Sequence, residues 1–222
     1  MAVIEGGTSG ALQEVGAAAA IAAHITTKPI PHGALGHYRV AVRVGLIAAQ
    51  AANSRLFELR NTAANIIVVT KLTLKWLQTA AHTAAILDSL DIFRLTGFTA
   101  VDTTNTVTPT PSVKRTAGMA ASPGGAAIRH VTVAGAAAGM TGGTLTKDAT
   151  AFSQMNQFLL LAVPTAGVVV PIYYEVIDPN TLVHPFVFAQ NEGFEIENRV
   201  LLGAAAGSDL IVELEFCEAT AF

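Results

Sequence analysis

The chain has 222 residues, a formal net charge of -3, 51% hydrophobic residues and only 13% charged ones, about half the charged share of an ordinary soluble domain. That balance excludes intrinsic disorder, which needs few apolar residues and much charge. The lack of any run of about 18 uninterrupted apolar residues excludes a membrane-spanning helix. With 40 Ala and 24 Thr and so few charges to wet a surface, much Ala, Val and Leu is expected to face a second chain, because large exposed apolar patches mark interaction sites.

Charge is uneven along the chain. Residues 1–150 carry 12 basic and 7 acidic side chains, whereas residues 151–222 carry Arg199 alone against nine acids. Two readings stand open. Strands from the two halves interleave and cancel the asymmetry in space, or the subunit is polarised and its acidic side steers a basic neighbour. No basic cluster exceeds Lys114-Arg115, which gives nucleic acid no footing. The single cysteine, Cys217, excludes an internal disulfide and reads as a small buried hydrophobe. The start, Met1-Ala2-Val3-Ile4-Glu5, is acidic and unlike a signal peptide, so the expected location is a cytoplasm or a particle assembled there.

Residues 1–37 read as an arm. Gly6-Gly7-Thr8-Ser9-Gly10 is flexible in composition, Ala11 to His24 is Ala-rich enough for a short helix, and Lys28-Pro29-Ile30-Pro31 forces extended backbone. From Tyr38 the period is two: Tyr38, Val40, Val42, Val44 and Leu46 alternate with Arg39, Ala41, Arg43 and Gly45, as in a half-buried strand. Arg55 to Arg60 is a shorter run of the same kind. Ile66 to Thr79 follows, its even positions Ile66, Val68, Leu72, Leu74 and Trp76 forming an apolar face broken at Thr70, with Lys71, Thr73 and Lys75 opposite. Leu90 to Thr99 is a strand, and Asp102 to Pro111 a Thr/Pro-rich loop. Residues 117–147 form a Gly/Ala-rich insertion suited to loops or flat contact surfaces, interrupted by a strand at Ile128 to Val133. Gln154 to Val163 fits a helix or a buried strand equally. Val168 to Ile177, Val183 to Ala189, Phe194 to Val200 and Leu210 to Cys217 are strands separated by turn signals such as Asp178-Pro179-Asn180 and Asn191-Glu192-Gly193. Eight or nine short strands without βα alternation define an all-β fold, an antiparallel β-sandwich of jelly-roll type over residues 38–222, preceded by the arm.

Chemistry is sparse. No nucleophile elbow, phosphate loop, dinucleotide fingerprint or H-E-x-x-H occurs, and Gly135 to Gly143 lacks the spacing and the Lys-Ser/Thr of a phosphate loop. His24, His32, His37, His82, His130 and His184 never pair at ligand spacing, so no metal and no cofactor is expected. Paired carboxylates remain: Glu195 and Glu197 share one strand face, and Glu213 and Glu215 another. A glycosidase would use such pairs, but the simpler reading leaves them in water while Phe194, Ile196, Leu214 and Phe216 point inward. If the last two strands are neighbours, these four glutamates repel, and Arg39/Arg43 or Lys71/Lys75 is expected to relieve them within the subunit or across an interface. Those eight residues form the candidate interaction surface.

Two segments, Leu90-Asp91-Ile92-Phe93-Arg94-Leu95-Thr96-Gly97-Phe98-Thr99-Ala100-Val101-Asp102 and His184-Pro185-Phe186-Val187-Phe188-Ala189-Gln190-Asn191-Glu192-Gly193-Phe194-Glu195-Ile196, resemble a loose group of tailed-bacteriophage virion proteins. In that group an Arg- and Phe-bearing strand follows the Trp-bearing strand. An Asn-Glu-Gly turn then leads into two closing strands, which end here in Phe216-Cys217-Glu218. The resemblance spans residues 38–222 and is structural rather than catalytic. It implies a non-enzymatic head decoration (cement) protein, a homo-oligomer with a trimer favoured, bound to the major capsid protein or other virion proteins, without nucleic acid or membrane. The alternatives are a tail or baseplate adaptor or receptor binder and, in another class, a carbohydrate-active β-sandwich using Glu195 or Glu213.

Overall fold

The computed structural model describes residues 2–6, 11–15, 36–46, 49–78, 84–109, 113–114, 123–132, 137–160, 171–177, 185–202 and 208–220. Two units divide the chain, Met1–Pro31 and His32–Phe222. In the first, β1 (Ala2–Gly6) pairs antiparallel with β2 (Ala11–Val15). β2 covers the first residues of the segment whose Ala content suggests a short helix, and ladder bonds to β1 satisfy its backbone. The remainder of that expected helix, residues 16–24, lies outside the described residues.

The second unit holds β3 (Gly36–Leu46), β4 (Arg55–Asn61), β5 (Ile66–Gln78), β6 (Ile86–Ala100), β7 (Thr106–Val107), β8 (Val113–Lys114), β9 (Ala126–Val131), β10 (Thr144–Lys147), β11 (Ser153–Leu160), β12 (Pro171–Ile177), β13 (Phe186–Phe188), β14 (Gly193–Asn198) and β15 (Ser208–Ala219). They form two antiparallel sheets. One runs β12-β5-β15-β3-β8 with β13 also on β5; the other runs β10-β6-β14-β4-β9-β7 with β11 also on β6. Setting aside β7 to β10 and β13, eight strands remain. Counted in chain order, one sheet reads first-eighth-third-sixth and the other second-seventh-fourth-fifth. The late strands β14 and β15 thus slot between early ones.

The alternation in the sequence builds the core. Tyr38, Val40, Val42 and Val44 of β3 and Leu210, Val212, Leu214 and Phe216 of β15 turn inward, and from the other sheet Leu59, Leu90, Ile92, Phe194 and Ile196 meet them. Trp76 is fully buried among them. Each such side chain contributes about 1.5–3 kcal/mol on burial. Tyr38 packs against Phe216, and Phe194 against both Phe57 and Phe188.

One face assignment is corrected. In β5 the inward residues are Ile67, Val69, Leu72, Leu74 and Trp76, not an unbroken even series. Glu215 pairs with Lys71 and Phe216 with Val69, so Thr70 is an extra residue, a β-bulge. A bulge shifts the side-chain parity by one and moves every residue beyond it to the other face. Val68 is buried as well, but away from the inter-sheet core. The segment that fits helix or strand equally is β11: the long edge of β6 offers open ladder positions from Ile86 to Ile92, and β11 fills them. The two sheets are also fastened by polar bonds. Gly124 and Gly125 donate their amides to the Glu218 carboxylate at 2.9 and 2.6 Å, and Asn61 of β4 donates to the Phe188 carbonyl at 3.0 Å. Cys217 is buried, as its setting suggests.

Candidate functional site

The two glutamate pairs lie on opposite sheets. β14 runs between β4 and β6, and β15 between β3 and β5, so the expectation that they could repel as neighbours does not arise. Their surroundings differ completely.

On the six-stranded sheet, Arg39, Glu215 and Lys71 share one cross-strand row, and Arg43, Ile211 and Lys75 another. Lys75 Nζ lies 2.8 Å from Glu213, and Arg39 lies 3.7 Å from Glu213 and 3.9 Å from Glu215. Arg43 Nε donates to Asp209 at 3.0 Å. The lysine at Lys75 and its neighbours pull the Glu213 carboxyl below its ordinary range, chiefly through the Lys75 hydrogen bond. This face is a solvated ladder of alternating charge, with relief of the acids supplied inside the subunit.

On the seven-stranded sheet, Glu195 and Glu197 are buried, 0% and 3% exposed, which overturns the reading that leaves them in water. The register explains how acids come together there. Glu195 lies opposite Glu58 on β4 and Phe93 on β6, and Glu197 lies opposite Arg55 and Asp91. β14 is covered on both faces, and its outward glutamates are enclosed with cations. Arg55 reaches Glu195 through Nε and Asp102 through Nη1, both at 2.5 Å. From the edge strand β10, Lys147 stretches across the Phe93 ring, 4.4 Å from its centroid, to Glu197 at 2.8 Å and Glu195 at 3.8 Å. Asp91 takes Arg199 at 3.1 Å and the Gln154 amide at 2.7 Å.

Two loops close over this face. Asp102, just beyond β6, donates its amide to Glu58 at 2.8 Å and accepts the Gly143 amide at 2.6 Å. Residues 139–141 lie against β4 and residues 103–104: Met140 N donates to the Arg55 carbonyl, and Thr103 and Thr104 donate to Thr141. Gly139 has φ +75°, and a Cβ there would stand 2.7 Å from the Arg55 nitrogen, so glycine is required on both counts. Part of the Gly-rich insertion is thus a fitted cover rather than a flat outer surface.

Burial drives the protonation behaviour. Loss of water pushes the Glu195 carboxyl up to about 8, with the Glu197 charge adding to it and Arg55 and Lys147 opposing. Glu58 rises to about 7, again chiefly through burial, with Asp102 adding and its own amide bond, Arg55 and Arg129 opposing. Neither Glu195 oxygen receives a hydrogen bond of ordinary geometry, although Arg55 Nε and Lys147 Nζ stand 2.5 and 3.8 Å from them.

The sequence halves are complementary in space. Arg39, Arg43, Arg55, Lys75, Arg94 and Lys147 all pair with acids between Glu192 and Glu215, because the late acidic strands are inserted between early basic ones. Interleaving, not a polarised subunit, accounts for the charge pattern. The residues that reading by spacing missed are Arg55, Glu58, Asp102 and Lys147. Arg55 and Glu58 stood in one strand-like run, but only pairing brings Lys147 and Asp102 to them.

Elsewhere, a groove of about 270 Å³ is lined by Arg94, Phe152, Pro185, Phe186, Val187 and Phe188. Phe152 and Phe186 meet edge to face at 4.5 Å, and Arg94 is paired with Glu192 at 2.7 Å. Among the described residues no group of three or more His, Cys, Asp or Glu could hold a metal ion. No family model, curated protein or solved structure matches the chain.

Proposed function

We propose that this protein is a bacteriophage virion structural protein, a head decoration (cement) subunit that binds the outer capsid as a small oligomer, a trimer in the favoured form. The observation that carries the reading is the strand connectivity. We read eight strands ordered first-eighth-third-sixth and second-seventh-fourth-fifth as the order of a jelly roll, an architecture used by viral capsid proteins. The resemblance of residues 38–222 to phage virion proteins and the low charge, 13%, support the same reading. The mechanism is burial of apolar surface between subunits, with charge complementarity setting register. Many weak, symmetric contacts then sum to strong attachment.

Leu87 and Leu201, more than half exposed, and Val200 offer apolar surface, and Arg39, Arg43, Lys71 and Lys75 offer cations for register. Purified protein mixed with heads lacking decoration tests the reading. Saturable co-sedimentation at a fixed ratio to the major capsid protein, with a raised shell melting temperature, is the expected result. No binding overturns it. A tail or baseplate receptor binder is the second reading, favoured by the aromatic groove with its arginine.

A further inference from the structure

Sheet edges present unpaired N–H and C=O groups, and proteins blunt them with proline, bulges, charge, short strands or cover. Most edges of this sandwich are blunted in that way. β12 begins at Pro171 and slips register between Glu175 and Ile177. β10 slips between Thr144 and Thr146 and ends on Lys147, and β11 slips between Met155 and Phe158. β7, β8 and β13 are two or three residues long, and β9 runs only residues 126–129 beyond β7. β3 differs. It pairs with β15 over its whole length without a register shift, but on its second edge β8 covers Tyr38 and Arg39 alone. Residues 40–46 have no second partner strand among the described residues. They contain no proline, no lysine and no inward charge: Val40, Val42, Val44 and Leu46 face the core, and Arg43 faces out.

We propose that this edge is where two copies of the chain join, β3 against β3 in antiparallel register about a two-fold axis at Val44, so that the two six-stranded sheets run on into one another. Charge and space set the register. An axis at Arg43 would place the two arginines opposite each other, and one at Ala41 would place Arg39 opposite Arg43, both repulsive. An axis at Val42 would drive Gly45 of the second copy into the place that β8 holds beside Arg39. With the axis at Val44, residues 42–46 pair clear of β8, and Arg43 lies opposite a Gly45 that has no side chain to block it. Gly45 in turn lies opposite Asp209 on β15. Asp209, Gly45 and Arg43 of the second copy thus share one row, with the outer two backbones about 10 Å apart. Arg43 already spans a diagonal of about 8 Å to pair with Asp209 of its own copy, so the same bond can be exchanged between copies. The contact rests on an open edge and not on capsid binding, and being two-fold it is distinct from the contact that would close a trimer.

Sedimentation velocity of the intact chain over a wide concentration range, with hydrogen exchange at both ends of that range, is the test. A species of two copies, or of two trimers, is expected to grow with concentration. Amides within residues 42–46 are expected to gain protection with it, while those of residues 126–129, the other open stretch, do not. Arg43→Glu, which sets a second acid in the row of Asp209, is expected to halve the species. The proposal is overturned by a chain that stays single throughout, including one whose β3 edge gains protection only on phage heads. It is overturned equally by association that leaves residues 42–46 unprotected, or by association that Arg43→Glu leaves intact. The unmodified chain alone decides the first two outcomes, should the variant not fold, and the co-sedimentation with heads is read separately.

Discussion

Replacing Arg55 by Met removes the one cation that contacts both Glu195 and Asp102, at 2.5 Å each, while keeping the length of the stem. At about pH 9, above the values of about 8 and about 7 for Glu195 and Glu58, three carboxylates would share the space that Arg55 leaves. Stranding buried charge in this way costs about 3–5 kcal/mol. At about pH 5 the two glutamates are protonated in the folded state, so Asp102 is the principal charge left without its partner, and the cost shrinks to the about 1.5–3 kcal/mol of a charged hydrogen bond. Urea unfolding of both proteins at each pH, with m checked for constancy, measures the difference. A cost below about 1 kcal/mol, as for a surface pair, or the same cost at both pH values would refute the account of the cluster.

Stability of the unmodified protein is expected to fall as pH rises from about 4.5 towards 8, because the native state retains protons on Glu195 and Glu58 that the unfolded chain has lost. Each retained proton contributes about 1.4 kcal/mol per unit within its own window, read as the thermal midpoint against pH. Deleting Thr70 leaves Ile67, Val69, Leu72, Leu74 and Trp76 in regular alternation and costs about 0.5–3 kcal/mol. Deleting Thr73 turns Leu74 and Trp76 outward and should abolish folding by circular dichroism. Phe194→Ala should cost about 3–5 kcal/mol, whereas Leu201→Ala, at a half-exposed position, should leave unfolding within about 0.5 kcal/mol and weaken head binding instead. Lys75→Ala should cost under about 1 kcal/mol despite its 2.8 Å contact with Glu213, since exposed pairs are screened.

Period-two alternation made the sandwich legible. The strands expected from Tyr38, Arg55, Ile66, Leu90, Phe194 and Leu210 are β3, β4, β5, β6, β14 and β15, since each presents one apolar face that only a sheet can bury. Thr70 is legible in the sequence as a break in the apolar face, but spacing alone does not mark it as the extra residue of a bulge. The acid cluster was half legible. Glu195 and Glu197 stood out by spacing, but whether an outward strand face meets water depends on what folds over it, and no spacing announces that residues 139–143 do so. The charge asymmetry of the two halves had its cause in topology: acids on β14 and β15 find bases because those strands enter between earlier ones.

The claim that neighbours complete this sparsely charged sandwich on a phage head meets its most direct test in cryo-electron microscopy of particles whose genome encodes the chain. Symmetric copies of a two-sheet β-sandwich seated on the outer lattice of the head are the predicted density. A fully resolved particle in which no copy occurs, or in which copies occur only on the tail, contradicts the account.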